Sequence, residues 1–144
     1  MALLSIVLPA YNEEQNIANT AKVLAELLER EQIDYELVFV SDGSTDGTYA
    51  EILKSAARNS KVKGARFSRN FGKEACIFAG LKLTTGDAVI VMDCDLQDRP
   101  EEIPKLFHKA EEGWDIVLGR RVERKDNFLK RLSSTLFYVV FRSL

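Results

Sequence analysis

Ala88-Val89-Ile90-Val91-Met92-Asp93-Cys94-Asp95-Leu96-Gln97 is the stretch on which the fold turns. Its five leading apolar residues form an unbroken run. A strand with one wet face would alternate, so this one reads as buried on both faces. Helices must then cover both sides of the sheet, which means a mostly parallel, doubly wound α/β architecture. The run ends in two carboxylates two positions apart. In open α/β sheets, ligands sit at this carboxyl end of the strands.

The flanking sequence repeats the pattern. Residues 4–8 read as a first strand ended by Pro9, with Asn12 capping a helix over about 13–31 and Gln15 completing a capping box. Residues 37–40 form a second strand and residues 48–58 a helix. Residues 62–67 form a third strand, followed by a helix over 73–83 that stops at Gly86. Pro100 opens the next helix and Gly113 closes it. Residues 116–118 read as a fifth strand, and about 127–141 as a final amphipathic helix. The domain organisation expected is a main domain over 1–125 and a C-terminal amphipathic helix over 126–144.

The loops after the strands collect the polar groups. Pro9, Tyr11 and Glu13 follow the first strand, and Ser41, Asp42 and Gly43 the second. Arg69 and Asn70 follow the third, Asp93, Asp95 and Gln97 the fourth, and Arg120 and Arg121 the fifth. Asp93 and Asp95 cannot both stay ionised at close range without a cation. Oxygen ligands suit Mg²⁺ or Mn²⁺, and Mg²⁺ takes one or two carboxylates plus substrate phosphates. An acidic loop facing water is the plainer alternative. An EF-hand is excluded, because its sixth and twelfth positions would be Asp98 and Pro104. A phosphatase of the DxDx[TV] type would want Thr or Val at Gln97. No phosphate-loop or dinucleotide fingerprint occurs.

The composition is that of a soluble globular chain of 144 residues, 46% hydrophobic and 29% charged, with a net charge of −2. Its two cysteines form no CxxC pair and fit a reducing, cytoplasmic setting. No signal peptide or membrane span is legible. Up to residue 119 there are 13 Lys/Arg against 20 Asp/Glu, and from residue 120 there are 7 against 2. The basic end fits an anionic partner or a solvated helix face, and no nucleic-acid partner is expected. Its apolar stripe of Leu132, Leu136, Phe137, Val140 and Phe141 suits either a membrane surface or packing on the sheet. The stop at Ser143-Leu144 reads as the end of a fragment.

Three blocks carry a family resemblance: residues 6–14 (IVLPAYNEE), residues 40–48 (VSDGSTDGT) and residues 69–74 (RNFGKE). With Gly86-Asp87 and the Asp93-Cys94-Asp95-Leu96-Gln97-Asp98 block, they make the chain resemble a family-2 glycosyltransferase of the GT-A fold. The RNFGK and DxDLQ blocks are similar to the polyprenyl-phosphate branch, which includes dolichol-phosphate mannosyltransferase and bacterial undecaprenyl-phosphate glycosyltransferases.

The resemblance implies roles for individual residues. Pro9, Tyr11 and Glu13 line a nucleoside pocket, and Val40 and Asp42 contact the base. Asp93 and Cys94 touch the nucleoside and sugar-phosphate side. Asp95 and Gln97 ligate Mg²⁺ or Mn²⁺, Arg121 meets phosphate with Asp95 at the reacting end, and Arg131 reaches an acceptor phosphate. Ser41 departs from the family's Asp-Asp-Gly-Ser, and Arg120 replaces a small residue.

The implied reaction is an inverting transfer from a nucleotide-diphosphate sugar, UDP-linked before GDP-mannose, to a polyprenyl phosphate at the cytoplasmic face of a membrane. A phosphate acceptor is ionised near neutrality and needs no general base. None is evident after residue 98, and His108 reads as a surface residue. A saccharide acceptor is one alternative. A nucleotide-binding module without catalysis of its own is another. The sequence leaves the sugar and the oligomeric state open.

Overall fold

The computed structural model of the protein describes residues 2–119. Four strands form one parallel sheet in the order β3-β2-β1-β4. They are β1 (Leu3–Ala10), β2 (Asp34–Ser41), β3 (Val62–Arg66) and β4 (Ala88–Val91). The helices are α1 (Glu14–Arg30), α2 (Thr48–Arg58), α3 (Lys73–Leu83) and α4 (Ile103–Glu111), the last led in by a 3₁₀ turn over Pro100–Glu102.

Side chains alternate across each strand, so the two faces have separate partners. Leu4, Ile6 and Leu8 of β1 and Tyr35, Leu37 and Phe39 of β2 share a core with Ile17, Leu24 and Leu28 of α1, Ile52 of α2 and Ile103 and Phe107 of α4. Val38 and Val40 face the other way and pack on Cys76 of α3. There α3 lies so close to the sheet that a Cβ on Gly80 would strike Val7. The doubly wound architecture is as expected, with full burial of each Leu, Ile or Phe contributing about 1.5–3 kcal/mol. β4, however, is not buried on both faces as its apolar run suggested. Val89 and Val91 are exposed at 38% and 42%, because α3 packs on β1 and β2 and leaves that face of β4 uncovered.

Several expectations need correction. β1 does not end at Pro9 but runs through it to Ala10. The carbonyl of Val7 receives Met92 N–H on the β4 side, whereas that of Ala10 receives Asp42 N–H on the β2 side. Pro9, in register with Val7, therefore turns its missing N–H toward a side where the β4 ladder has already stopped. β2 is longer than the apolar run 37–40, because Asp34, Tyr35 and Glu36 also pair with β1. β3 and β4 each end one residue early, although Phe67 N–H still bonds Ser41 O at 2.9 Å.

Asn12 does not cap α1, and no capping box forms. It adopts φ +55°, and its side-chain oxygen instead accepts Thr45 N–H at 2.9 Å. Residues 116–118 are not a fifth strand. They join no ladder among the described residues, and Ile116 and Leu118 are exposed, so the apolar triplet lacks the edge partner a strand needs. α2 and α3 have the expected limits, and Gly113 follows α4 at φ +100° with its N–H on Ala110 O. The helix expected over 127–141 lies outside the described residues.

Candidate functional site

The loops that follow β1 and β2 are laced into one unit. Asn12 N–H donates to Ser44 Oγ at 3.1 Å and Glu13 N–H to Thr48 Oγ1 at 2.8 Å. In return, Gly47 N–H donates to Glu14 at 2.7 Å. The Asp46 carboxylate accepts Thr48 N–H at 3.0 Å and Glu14 N–H at 3.3 Å. Burial works to raise the Asp46 pKa, but the hydrogen bonds from Thr48 and Glu14 outweigh it and hold the carboxyl below its usual range. Ser41 explains itself here. It is wholly buried, and its hydroxyl donates to Ser44 Oγ at 3.1 Å, where a second aspartate would bury an unpaired charge.

Asp42 is nearly buried and binds the loop after β3. Its two oxygens accept Phe71 N–H at 2.7 Å and Gly72 N–H at 3.0 Å. Gly43 makes this approach possible. Its φ is +61°, and a Cβ there would collide with the backbone of Arg69.

The turn after β4 is anchored from beneath. Thr20 of α1 donates its hydroxyl to Cys94 O at 2.6 Å, and the buried Cys94 thiol donates to Pro9 O at 3.3 Å. Burial, reinforced by Glu13, Asp93 and Asp95, pushes the Cys94 thiol far above its ordinary pKa, so it is neutral and inert. Leu96 takes φ +55°, which is costly for a residue with a Cβ, and packs partly against the main core. Gln97 N–H then donates to Asp95 Oδ1 at 3.1 Å.

These loops enclose a cleft of about 350 Å³ at the carboxyl edge of the sheet. Of the residues that the resemblance assigned to a ligand, Pro9, Tyr11, Glu13, Asp42, Asp93, Cys94 and Asp95 all line it. Val40 does not. Its side chain is fully buried and packs on Cys76 of α3. Gln97 is exposed and outside the lining. Arg120, Arg121 and Arg131 lie outside the described residues. His108 is on the surface beside Glu111, at 2.9 Å, as expected.

Sequence reasoning gave no role to Asn70, Gly72, Lys73 or Cys76, which complete the lining. Lys73 is the consequential omission, because its ammonium lies 2.6 Å from Asp93 Oδ1. The available signal was its place in the RNFGK block, which opens α3 at that same edge. Burial drives the Cys76 thiol up to about 12, leaving it protonated.

Among the described residues the lining thus carries four carboxylates, of Glu13, Asp42, Asp93 and Asp95, and one ammonium, of Lys73. Among the described residues no group of three or more His, Cys, Asp or Glu forms an all-protein metal cage. Asp93 and Asp95 suit a hard cation that draws its remaining ligands from water and phosphate.

Fold and site together define a doubly wound α/β protein with an acidic ligand cleft at the carboxyl edge of its sheet. The sequence profile of glycosyl transferase family 2 matches residues 5–143, and the chain belongs to that family. It is 45% identical over 136 residues to a bactoprenol glucosyl transferase of Shigella phage SfX, covering 94% of this chain and 45% of that protein. It is 43% identical over 136 residues to a prophage bactoprenol glucosyl transferase homolog of Escherichia coli K12, covering 94% and 44%. The chain spans less than half the length of these curated relatives.

Among solved structures, mannosyl-3-phosphoglycerate synthase from Rubrobacter xylanophilus shares the fold. Its TM-score is 0.64 at 21% identity, covering 76% of this chain and 36% of that one. Glucosyl-3-phosphoglycerate synthase from Mycobacterium tuberculosis, solved with Mn²⁺, UDP and glucosyl-3-phosphoglycerate, has a TM-score of 0.59 at 27% identity, covering 76% and 39%. The GT-A fold expected from the sequence is borne out.

Proposed function

We propose that this domain binds a nucleotide-diphosphate sugar, a UDP-sugar before GDP-mannose, together with Mg²⁺ or Mn²⁺, and presents the sugar to a polyprenyl phosphate. The observation that carries this reading is the charge of the cleft's described lining, four carboxylates and one ammonium at the carboxyl edge of a parallel sheet. Such a lining repels a bare diphosphate and admits it readily only with a cation. The Mn²⁺ and UDP bound by the 27%-identical synthase support the donor half. The names of the phage and prophage relatives support the lipid acceptor.

In this reading Tyr11, about half exposed, offers its ring to the base, and Glu13 accepts from ribose hydroxyls. Asp42, already holding the 71–72 backbone, contacts the base with its remaining acceptor capacity. Asp95, with Asp93 or Gln97, holds the cation. Bound there, the cation supplies positive charge to the diphosphate as it leaves. Arg121 meets the same phosphates and Arg131 the acceptor.

The acceptor's phosphate oxygen forms the new bond to the anomeric carbon with inversion. The bond to the donor's β-phosphate oxygen breaks, and its electron pair stays on the diphosphate. An ionised acceptor has no proton to lose, so no general base is required. The basic composition beyond residue 119 fits work at the cytoplasmic face of a membrane. Among the described residues no helix is long and apolar enough to cross one.

Titration calorimetry with UDP and GDP, each with and without Mn²⁺, tests the donor half. Metal-dependent binding of one of them is expected, and failure of both to bind removes the reading. Glycolipid formation from UDP-glucose and a short-chain polyprenyl phosphate tests transfer. A second reading, a donor-binding part without turnover alone, draws on the chain spanning less than half of its relatives. It predicts binding without product.

A further inference from the structure

Among the described residues, Lys73 stands apart as the one cation in the cleft lining. It is the first residue of α3, which packs on β1 and β2, whereas its partner Asp93 follows β4. The 2.6 Å pair therefore reaches across the cleft rather than along one element. Both side chains are about half exposed, at 54% and 47%. Solvent screens such a pair, so it does little to hold the fold and is easily exchanged. No backbone group shares the lysine's hold on Asp93, in contrast to Asp42, whose oxygens are fixed by two amides.

We propose that Lys73 is the resident counter-cation of the cleft. It occupies Asp93 while the cleft is unloaded, and it passes to the donor's diphosphate when a divalent cation takes the aspartates. The proposal rests on reading the cleft as a nucleotide-diphosphate site. The side chain suits such an exchange, because a lysine is a compact charge on a flexible four-carbon stem with three rotatable donors.

Competition at Asp93 and attraction to phosphate are separable, and they make the lysine act with opposite sign on two ligands. Without it, bare metal loses a competitor while the diphosphate loses a partner. A residue that merely braced the fold would move both affinities the same way or neither.

The test uses the whole chain carrying Lys73→Met, with Lys73→Arg as the charge-keeping control and a thermal melt to confirm folding. Mn²⁺ binding without nucleotide is read from the electron paramagnetic resonance of the free ion, and UDP binding at saturating Mn²⁺ by calorimetry. Lys73→Met should bind Mn²⁺ alone about threefold to tenfold more tightly, and UDP about tenfold more weakly. Lys73→Arg should stay near the wild type for Mn²⁺ and recover most of the UDP affinity. Unchanged or weaker Mn²⁺ binding by Lys73→Met overturns the competition, and unchanged UDP binding overturns the transfer to phosphate. If the wild type binds no UDP even with Mn²⁺, the donor-site reading itself fails, and the proposal with it.

Discussion

Glu36 at the amino end of the sheet and the Asp93–Asp95 turn at its carboxyl end are held in opposite ways. At the amino end, Glu36 of β2 is only 4% exposed, yet it is fully occupied. It accepts the Ser5 hydroxyl at 2.6 Å, Thr85 N–H at 2.6 Å and the Thr85 hydroxyl at 3.0 Å, and it pairs with the Lys63 ammonium. Burial alone would raise its pKa, but the bonds from Lys63, Ser5 and Thr85 overcome that and bring it down to about 2. At the carboxyl end, Asp93 has one exchangeable ammonium, and Asp95 has one short-range amide from Gln97. Glu36 ties β1, β2, β3 and the lead into β4 together. The two aspartates hold almost nothing, which leaves their oxygens for a ligand.

Substitutions at each end should break the comparison in opposite directions. Asp95→Asn should lower UDP affinity in Mn²⁺ by at least about a hundredfold, with the urea midpoint almost unmoved. Calorimetry showing unchanged affinity would remove Asp95 from the metal site. Glu36→Ala should do the reverse. It leaves Ser5, Thr85 and Lys63 without their common acceptor and should cost about 2–3 kcal/mol in urea unfolding, while the folded fraction still binds UDP.

The same contrast has a pH signature. Because the folded pKa of Glu36 lies near 2 and its ordinary value is 4.5, its contribution is fully present above the ordinary value. It is lost as pH falls through that value toward 2. Acid titration of wild-type stability should show a loss of about 3 kcal/mol over that span, and Glu36→Gln should flatten it.

Gly43→Ala couples the two readouts. It forces a side chain into φ +61° and against Arg69, so about 1–2 kcal/mol of stability and part of the nucleotide affinity should go together. Thr20→Val is the mildest change. Losing the hydroxyl under Cys94 O should cost about 1 kcal/mol, and a loss of UDP affinity exceeding that cost would show that the acidic turn needs this anchor for its shape.

What the sequence revealed follows from the range of the interactions involved. α2 and α3 are legible to the residue, because local turn chemistry at Gly47 and Gly72 opens them, and α2 also carries a helical apolar period. The strands are less so. Pro9 reads as a stop until the early end of the β4 ladder is known, and Glu36 reads as a loop residue until Lys63 and Thr85 meet it. The cleft's acidic residues could be named from their places after strands. Their partners could not. Lys73–Asp93 and Asp42–Phe71 are joined only because the sheet order brings the β3, β2, β1 and β4 ends together. Residues 116–118 carry a strand's composition but join no ladder among the described residues, a fact no local pattern encodes.

The sheet order has a further consequence, in time rather than space. β1, β2 and β3 are consecutive in the chain and adjacent in the sheet, whereas β4 must return to the open side of β1. A chain growing from its amino end at about 5–20 residues per second has the side of the cleft lined by Pro9, Tyr11, Glu13, Asp42, Asn70 and Lys73 translated before residue 93 exists. The acidic turn finds its anchors in Val7, Pro9 and Thr20, all translated before it. A ribosome-stalled chain ending before β4 would expose the unpaired edge of β1, a template for pairing with other chains. Synthesis of β4 closes that edge and supplies the last wall of the cleft in a single event.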